Sequence, residues 1–213
     1  MRSTRSKKAL VCENLKKRII NNLLKSGEPL NEISLANELK TSKTPIREAF
    51  QQLERDGFVE NIPGKGCFVS RISFQDVKEL FEIREILECE VVKRAALKGD
   101  LEKIRRIRKE FEFSESNGGK SLKDQFKAGD RIHTCIFENF GNNRLCEIYK
   151  RMQEHVERMR IHFFNQAHED RWEQSYKEHV EILDALETRD PLRAENAVRT
   201  HLRNAMEFLK QVI

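Results

Sequence analysis

The chain has six histidines, and three of them fall on apolar helical stripes. His133 shares a face with Phe126, Gly129, Asp130, Ile136, Phe137 and Phe140. His179 shares one with Tyr176, Val180, Leu183 and Leu186, and His201 one with Ala194, Ala197, Val198, Ala205 and Phe208. Imidazoles that project inward from three helices of a bundle can converge on one ion. Asp130, one turn before His133, adds a carboxylate to that set. Imidazole suits zinc, nickel or iron, and the carboxylate leaves manganese open. Three separately satisfied core histidines are the other reading, since no HExxH or CxxC spacing accompanies them. His155, His162 and His168 lie on a charged stretch and read as surface residues.

A second group of residues suits phosphates and bases. Ser42, Lys43, Thr44 and Arg47 stand at the start of a predicted helix. Hydroxyls of Ser42 and Thr44 can donate to phosphates beside a helix N-terminus. Arg47 can make a bidentate contact to guanine, and Lys43 can serve a base or a phosphate. Lys65 stands between Gly64 and Gly66, where a turn can come close to a backbone. Taken singly, Arg47 could equally pair with Glu48 or Glu54, and Lys65 could be an ordinary turn lysine. Charge sharpens the distinction. Residues 1–72 carry 14 Lys/Arg against 8 Asp/Glu, and the remainder 26 against 27. The positive excess therefore lies in the first third, as in a DNA-binding head on a neutral body. Basic residues within 1–8 suit a sequence-blind, salt-dependent arm.

The elements that must position these groups are mostly helical. Leu10, Val11, Leu15, Ile19, Ile20, Leu23 and Leu24 predict a helix over 10–25, ended by Gly27 and Pro29. A short helix over 32–39 and a third from about Pro45 to Asp56 follow. Residues 58–62 and 67–72 are two short strand-like runs around the turn Pro63-Gly64-Lys65-Gly66, which predicts a hairpin. Six helices are then expected over about 74–98, 101–115, 120–140, 143–165, 170–188 and 191–211. Ser73-x-x-Asp76 opens the first as a capping box. Gly99, Asn117-Gly118-Gly119 and Gly141 mark breaks, and Asp190-Pro191 suits an N-cap with proline at the first position. The expected fold is mainly α: an N-terminal winged helix-turn-helix over 1–72 and an all-α antiparallel helical bundle over 73–213.

Several stretches resemble one regulator family. Leu30-Asn31-Glu32-Ile33-Ser34-Leu35-Ala36, Thr44-Pro45-Ile46-Arg47-Glu48-Ala49, Leu53-Glu54-Arg55-Asp56-Gly57-Phe58-Val59 and Pro63-Gly64-Lys65-Gly66 are similar to the GntR-type head. That resemblance implies operator contacts at Ser42, Lys43, Thr44, Arg47 and the wing glycine Gly66. Where Ile33 stands, the family often has a phosphate-binding arginine. Glu82-Ile83-Arg84-x-x-Leu87-Glu88, Ile132-His133 with Gly141-Asn142-Asn143, Glu178-His179-x-x-Ile182-Leu183-x-Ala185-Leu186 and His201-Leu202 resemble the FCD ligand-binding domain of the FadR-like branch. Six body helices suit its shorter, VanR-like subgroup.

The FCD likeness implies a divalent transition metal (zinc, nickel or manganese) on His133, His179 and His201. It also implies a small carboxylate effector on or near that metal. The family's aspartate ligand falls at Gly129, which leaves Asp130 as the nearby substitute and water or effector as the alternative. Arg84 matches a family arginine and is the expected effector anchor, with a surface ion pair to Glu85 or Glu88 as its other role. Arg158 is a second, weaker candidate.

These readings give a ligand-responsive regulator, expected to be a homodimeric repressor on double-stranded operator DNA, since such heads read palindromic half-sites. A metal-independent effector-binding regulator is the alternative. A metal-dependent hydrolase would need a general base beside an open metal position. Asp130 is the only carboxylate one turn from these histidines on its inward face and is spent as a ligand, so no enzyme is expected. Cys12, Cys67, Cys89, Cys135 and Cys146 form no CxxC pair and suit reduced thiols. No apolar run reaches the roughly 18 residues of a membrane span and no signal peptide is evident, so a cytoplasmic location is expected.

Overall fold

The computed structural model describes residues 6–116, 122–163 and 169–212. Residues 1–5 of the basic arm, the Asn117-Gly118-Gly119 break and His168 lie outside the described residues. The chain divides into two compact units. The first runs through Ser73 and includes Glu157–His162, and the second comprises Phe74–Val156 and Phe163–Ile213.

In the first unit, α1 (Lys7–Ile20) packs on α3 (Lys43–Arg55), and α2 (Glu32–Glu38) packs beside α3. Leu15, Ile46, Leu53, Phe58 and Val69 are fully enclosed at the centre of its core. Asn31 caps α2, its Oδ1 accepting from the N–H groups of Ile33 (2.9 Å) and Ser34 (3.0 Å). Gly57 follows α3 with φ +77°, a left-handed conformation that suits glycine and turns the chain into the sheet. The hairpin strands β2 (Val59–Ile62) and β3 (Gly66–Val69) are antiparallel, with Val59 opposite Val69 and Ile62 opposite Gly66.

Two expectations are corrected here. The sheet has a third strand, β1 (Pro29–Leu30), which pairs with β3 on the side away from β2. Two residues are too few to show an alternating pattern. The first helix begins and ends earlier than its apolar stripe predicts. Asn22 takes φ +56°, which breaks the helix and leaves Leu23 exposed while Leu24 turns back into the core.

The second unit contains α4 (Phe74–Lys98), α5 (Leu101–Ser116), α6 (Leu122–Phe140), most of α7 (Asn143–Phe163), α8 (Glu169–Glu187) and α9 (Pro191–Val212). The expected breaks arise from local chemistry. Asp190 Oδ1 accepts from the N–H groups of Leu192 (3.1 Å) and Arg193 (3.0 Å), with Pro191 between them needing no partner. Asn142 likewise caps α7 through the N–H of Leu145 (3.1 Å). Helix α4 packs against α9 and α6, and α8 lies against α9 and α5. The four helices α4, α6, α8 and α9 thus share one interior, and polar side chains on their inner faces are forced together.

Candidate metal centre and nucleic-acid interface

The inner faces of α6, α8 and α9 place His133, His179 and His201 at 2%, 4% and 6% exposure. One ring nitrogen from each lies within 4.8 Å of the other two. The Nε2 atoms of His133 and His179 are 3.3 Å apart.

The other nitrogens face oxygen. His179 Nδ1 donates to the Ser175 carbonyl at 2.7 Å, and His201 Nδ1 donates to Glu178 Oε2 at 2.8 Å. His133 Nδ1 sits 2.7 Å from Glu88 Oε2, a close approach in which neither atom has a hydrogen bond of good geometry. An N–H directed to an oxygen from one ring nitrogen leaves the lone pair on the other. Such outer partners set the tautomer of metal-binding histidines.

Two carboxylates tie arginines to this cluster. Glu88 Oε1 accepts from Arg84 Nε at 2.7 Å, and both side chains are almost wholly buried. Burial alone would raise the Glu88 carboxyl, but Arg84 and His133 outweigh it and hold it at about 2. Glu178 Oε2 accepts from Arg171 at 3.0 Å, and its Oε1 from Asn204 at 2.7 Å. Burial pushes His201 well below the ordinary imidazole range, and the neighbouring His179, His133, Arg171 and Arg84 push the same way. His201 is therefore neutral at pH 7, as a metal ligand must be.

The expected fourth ligand is not brought in. Asp130 is half-buried, and among the described residues only the three histidines form the converging group. Helix geometry gives the reason. Positions four and three before His133 lie about 40° and about 60° from it, on opposite sides. The side facing the cluster is that of Gly129, where an added Cβ would stand 2.8 Å from His179 Cε1 and 3.0 Å from its Nε2.

The two expected effector anchors separate. Arg84 lies in the body beside the cluster, paired with Glu88 in the interior rather than at the surface. Arg158 belongs to the end of α7 that clusters with the first unit. There it donates to Ser70 Oγ at 2.8 Å and to the Ser70 carbonyl, and it lies over the Phe58 ring.

Pattern reading gave no site role to Ser175, Glu178 and Arg171, and gave Glu88 only as a surface partner of Arg84. Glu88 follows Arg84 by four residues, and Arg171, Ser175 and His179 recur at four-residue steps. Helical spacing places each set on one face, but apolar stripes direct attention away from charged members.

In the first unit, Ser42, Lys43, Thr44 and Arg47 are all exposed at the start of α3. Ser42 is the N-cap residue, yet its side chain makes no capping bond. Arg47 donates to Glu32 at 2.8 Å, a partner on α2 rather than Glu48 or Glu54. Lys65 and Gly66 are exposed at the tip of the hairpin, and Gly66 takes φ +103°, open only to glycine without strain. Ile33, 54% exposed, stands on α2 with no polar group to offer.

Comparison with known proteins now decides the family. The model of bacterial regulatory proteins of the gntR family matches residues 7–69, and the FCD domain model matches residues 79–204. The chain belongs to the GntR family, with an FCD domain. It is 30% identical over 204 residues to an uncharacterized HTH-type transcriptional regulator, YdhC of Bacillus subtilis, covering 93% of this chain and 89% of that one. It is 27% identical over 199 residues to the HTH-type transcriptional repressor RspR of Escherichia coli, covering 93% and 86%. In fold it is similar to E. coli McbR/YncC, with TM-score 0.79, 19% identity and coverage of 97% and 98%. This GntR-family chain is thus a transcriptional regulator of the winged-head and helical-body type. Among its described residues, no helix is long and apolar enough to cross a membrane.

Proposed function

We propose that this regulator is a homodimeric, cytoplasmic repressor whose head binds double-stranded operator DNA and whose body binds a small carboxylate effector at a divalent transition metal. The observation that carries the metal half is the approach of the His133 and His179 Nε2 atoms to 3.3 Å in a buried site, with both Nδ1 atoms turned to oxygens. Two lone pairs at that distance repel unless a cation or proton lies between them. Tetrahedral zinc with Zn–N near 2.0–2.1 Å would space its nitrogens by about 3.3–3.4 Å. The donor set fits such an ion: His133, His179 and His201 would hold it, and Glu88, the Ser175 carbonyl and Glu178 orient them. A bound divalent ion would supply Lewis-acid attraction for a carboxylate oxygen. Gly129 presents no ligand of its own, which leaves a further ligand to come from outside the three histidines. Arg84, kept charged by Glu88 although burial opposes its charge, holds that carboxylate beside His133.

Ser42, Lys43, Thr44 and Arg47 would read and position DNA at the start of α3, with Lys65 and Gly66 at the wing. An effector that weakens operator binding must itself bind the DNA-bound form less tightly.

Elemental analysis of untagged protein tests the metal. About one transition metal per chain is expected, and His179→Ala should remove it; unchanged content in that variant would show the wrong ligands. A gel shift on DNA flanking the protein's own gene tests the head. Failure to show saturable, sequence-dependent binding would sink the operator reading.

A further inference from the structure

We propose that Arg171 is an anchor for the ligand of the histidine cluster, and that this ligand is a small dicarboxylate. The inference rests on the metal and effector reading above.

Arg171 lies near the start of α8, and its side chain is 6% exposed. Its NH2 group donates to Glu178 Oε2 at 3.0 Å. The same oxygen accepts from His201 Nδ1 at 2.8 Å. One carboxylate oxygen therefore separates the guanidinium from a histidine of the cluster. The NH1 group of Arg171 is buried with no hydrogen-bond partner. Among the described residues it is the one arginine nitrogen left so.

Glu178 is poorly placed to take this donor as well. Its Oε2 already takes two donors, and Oε1 takes Asn204. A buried cationic donor without an acceptor is unfavourable, and a bound acceptor relieves it. Arginine is also suited to carboxylates, because its planar fork can give two parallel N–H bonds.

Charge sets the ligand class. Arg84 is matched by Glu88, and Arg171 by Glu178. Three neutral imidazoles leave the charge of a divalent ion unmatched, and Gly129 supplies no carboxylate there. A dianion restores the balance, with one carboxylate on the ion and the other on Arg171 NH1. A monocarboxylate reaches one of the two.

The reporter is built in. Trp172 is the only tryptophan in the chain. It adjoins Arg171, is buried, and makes edge contacts with Phe111 (6.4 Å) and Phe126 (5.9 Å). Full-length protein, zinc-loaded and metal-free, is titrated with malonate, succinate and acetate and followed by Trp172 fluorescence and calorimetry. In zinc-loaded wild type, at least one dicarboxylate should bind about tenfold or more tighter than acetate.

Arg171→Lys keeps the positive charge beside Glu178 but loses the fork. It should retain fold and zinc content and weaken dicarboxylate binding by about 10- to 100-fold, leaving acetate binding unchanged. Arg171→Gln should weaken it at least as much. Dicarboxylate binding undiminished in Arg171→Lys, or no preference over acetate in wild type, overturns the proposal. Zinc content of the same samples separates the two readings. If wild type takes up no zinc, the metal reading fails. Arg171 is then judged in the metal-free titration, where the preference for dicarboxylate must still fall in Arg171→Lys.

Discussion

The two units keep their functional groups in opposite environments. In the head, Ser42, Lys43, Thr44, Arg47 and Lys65 stand in solvent at the ends of elements. Beneath them is an ordinary apolar core from which they take no part. In the body, the corresponding groups are the core: His133, His179, His201, Arg84, Glu88 and Arg171 are all buried. A surface partner for a polyanion must remain hydrated and reachable until contact. A site for one small ion or acid gains by exclusion of water, because electrostatic attraction strengthens as the local dielectric falls. The head's groups can be changed singly with little effect on folding. The body's groups are interlocked, so one change is felt by fold and ligand together.

The largest expected effect tests that interlocking. Glu88→Gln leaves Arg84 buried without its counter-charge and should cost about 3–5 kcal/mol of folding stability, read by denaturant unfolding of metal-free protein. A loss below about 1 kcal/mol would mean that the Arg84–Glu88 pair is hydrated and the contrast overstated. Next is Gly129→Ala, whose methyl meets His179 at 2.8 Å. Overpacking of this kind costs about 1–3 kcal/mol. Zinc affinity should therefore fall by roughly tenfold or more, and an unchanged affinity would show that the His179 ring is free to shift.

On the head, Arg47→Ala should lose about 1–3 kcal/mol of operator affinity and relax specificity at one base pair, with unfolding unchanged. Uniform weakening on all sequences would reassign Arg47 to a phosphate. The smallest expected effect concerns salt. Lys65→Ala should lower the slope of log K against log salt by about 1, and Ile33→Arg should raise it by about as much. A slope that does not move in Ile33→Arg would place α2 away from the DNA backbone.

Much of this was legible in the chain. The breaks at Gly99, at Gly141-Asn142 and at Asp190-Pro191 follow from glycine, Asn and Asp-Pro signals, because caps and breakers act over a few residues. The three histidines were visible because a polar residue on an apolar stripe is forced inward. Other features were not legible. The strand β1 has two residues and owes its existence to β3. The end of α1 was set by Asn22 in a left-handed conformation within an unbroken apolar pattern. Arg158 shares the charge and size of Arg84 and Arg171, and nothing local tells which of the three is held against Ser70.

By itself the sequence determined the family, the winged head and helical body, the exposed cations at the start of α3 and the inward direction of His133, His179 and His201. Those depend on composition and on periodicity along one element. Tertiary structure alone decided that the three imidazoles share one point, that Glu88 and Glu178 orient two of them, that Gly129 rather than Asp130 faces His179, and that Arg171 keeps an unmatched donor. Each is a relation between helices far apart in the chain. Packing four helices around one interior fixes rotation and depth to within an ångström, and a hydrogen bond or metal site responds to differences of that size.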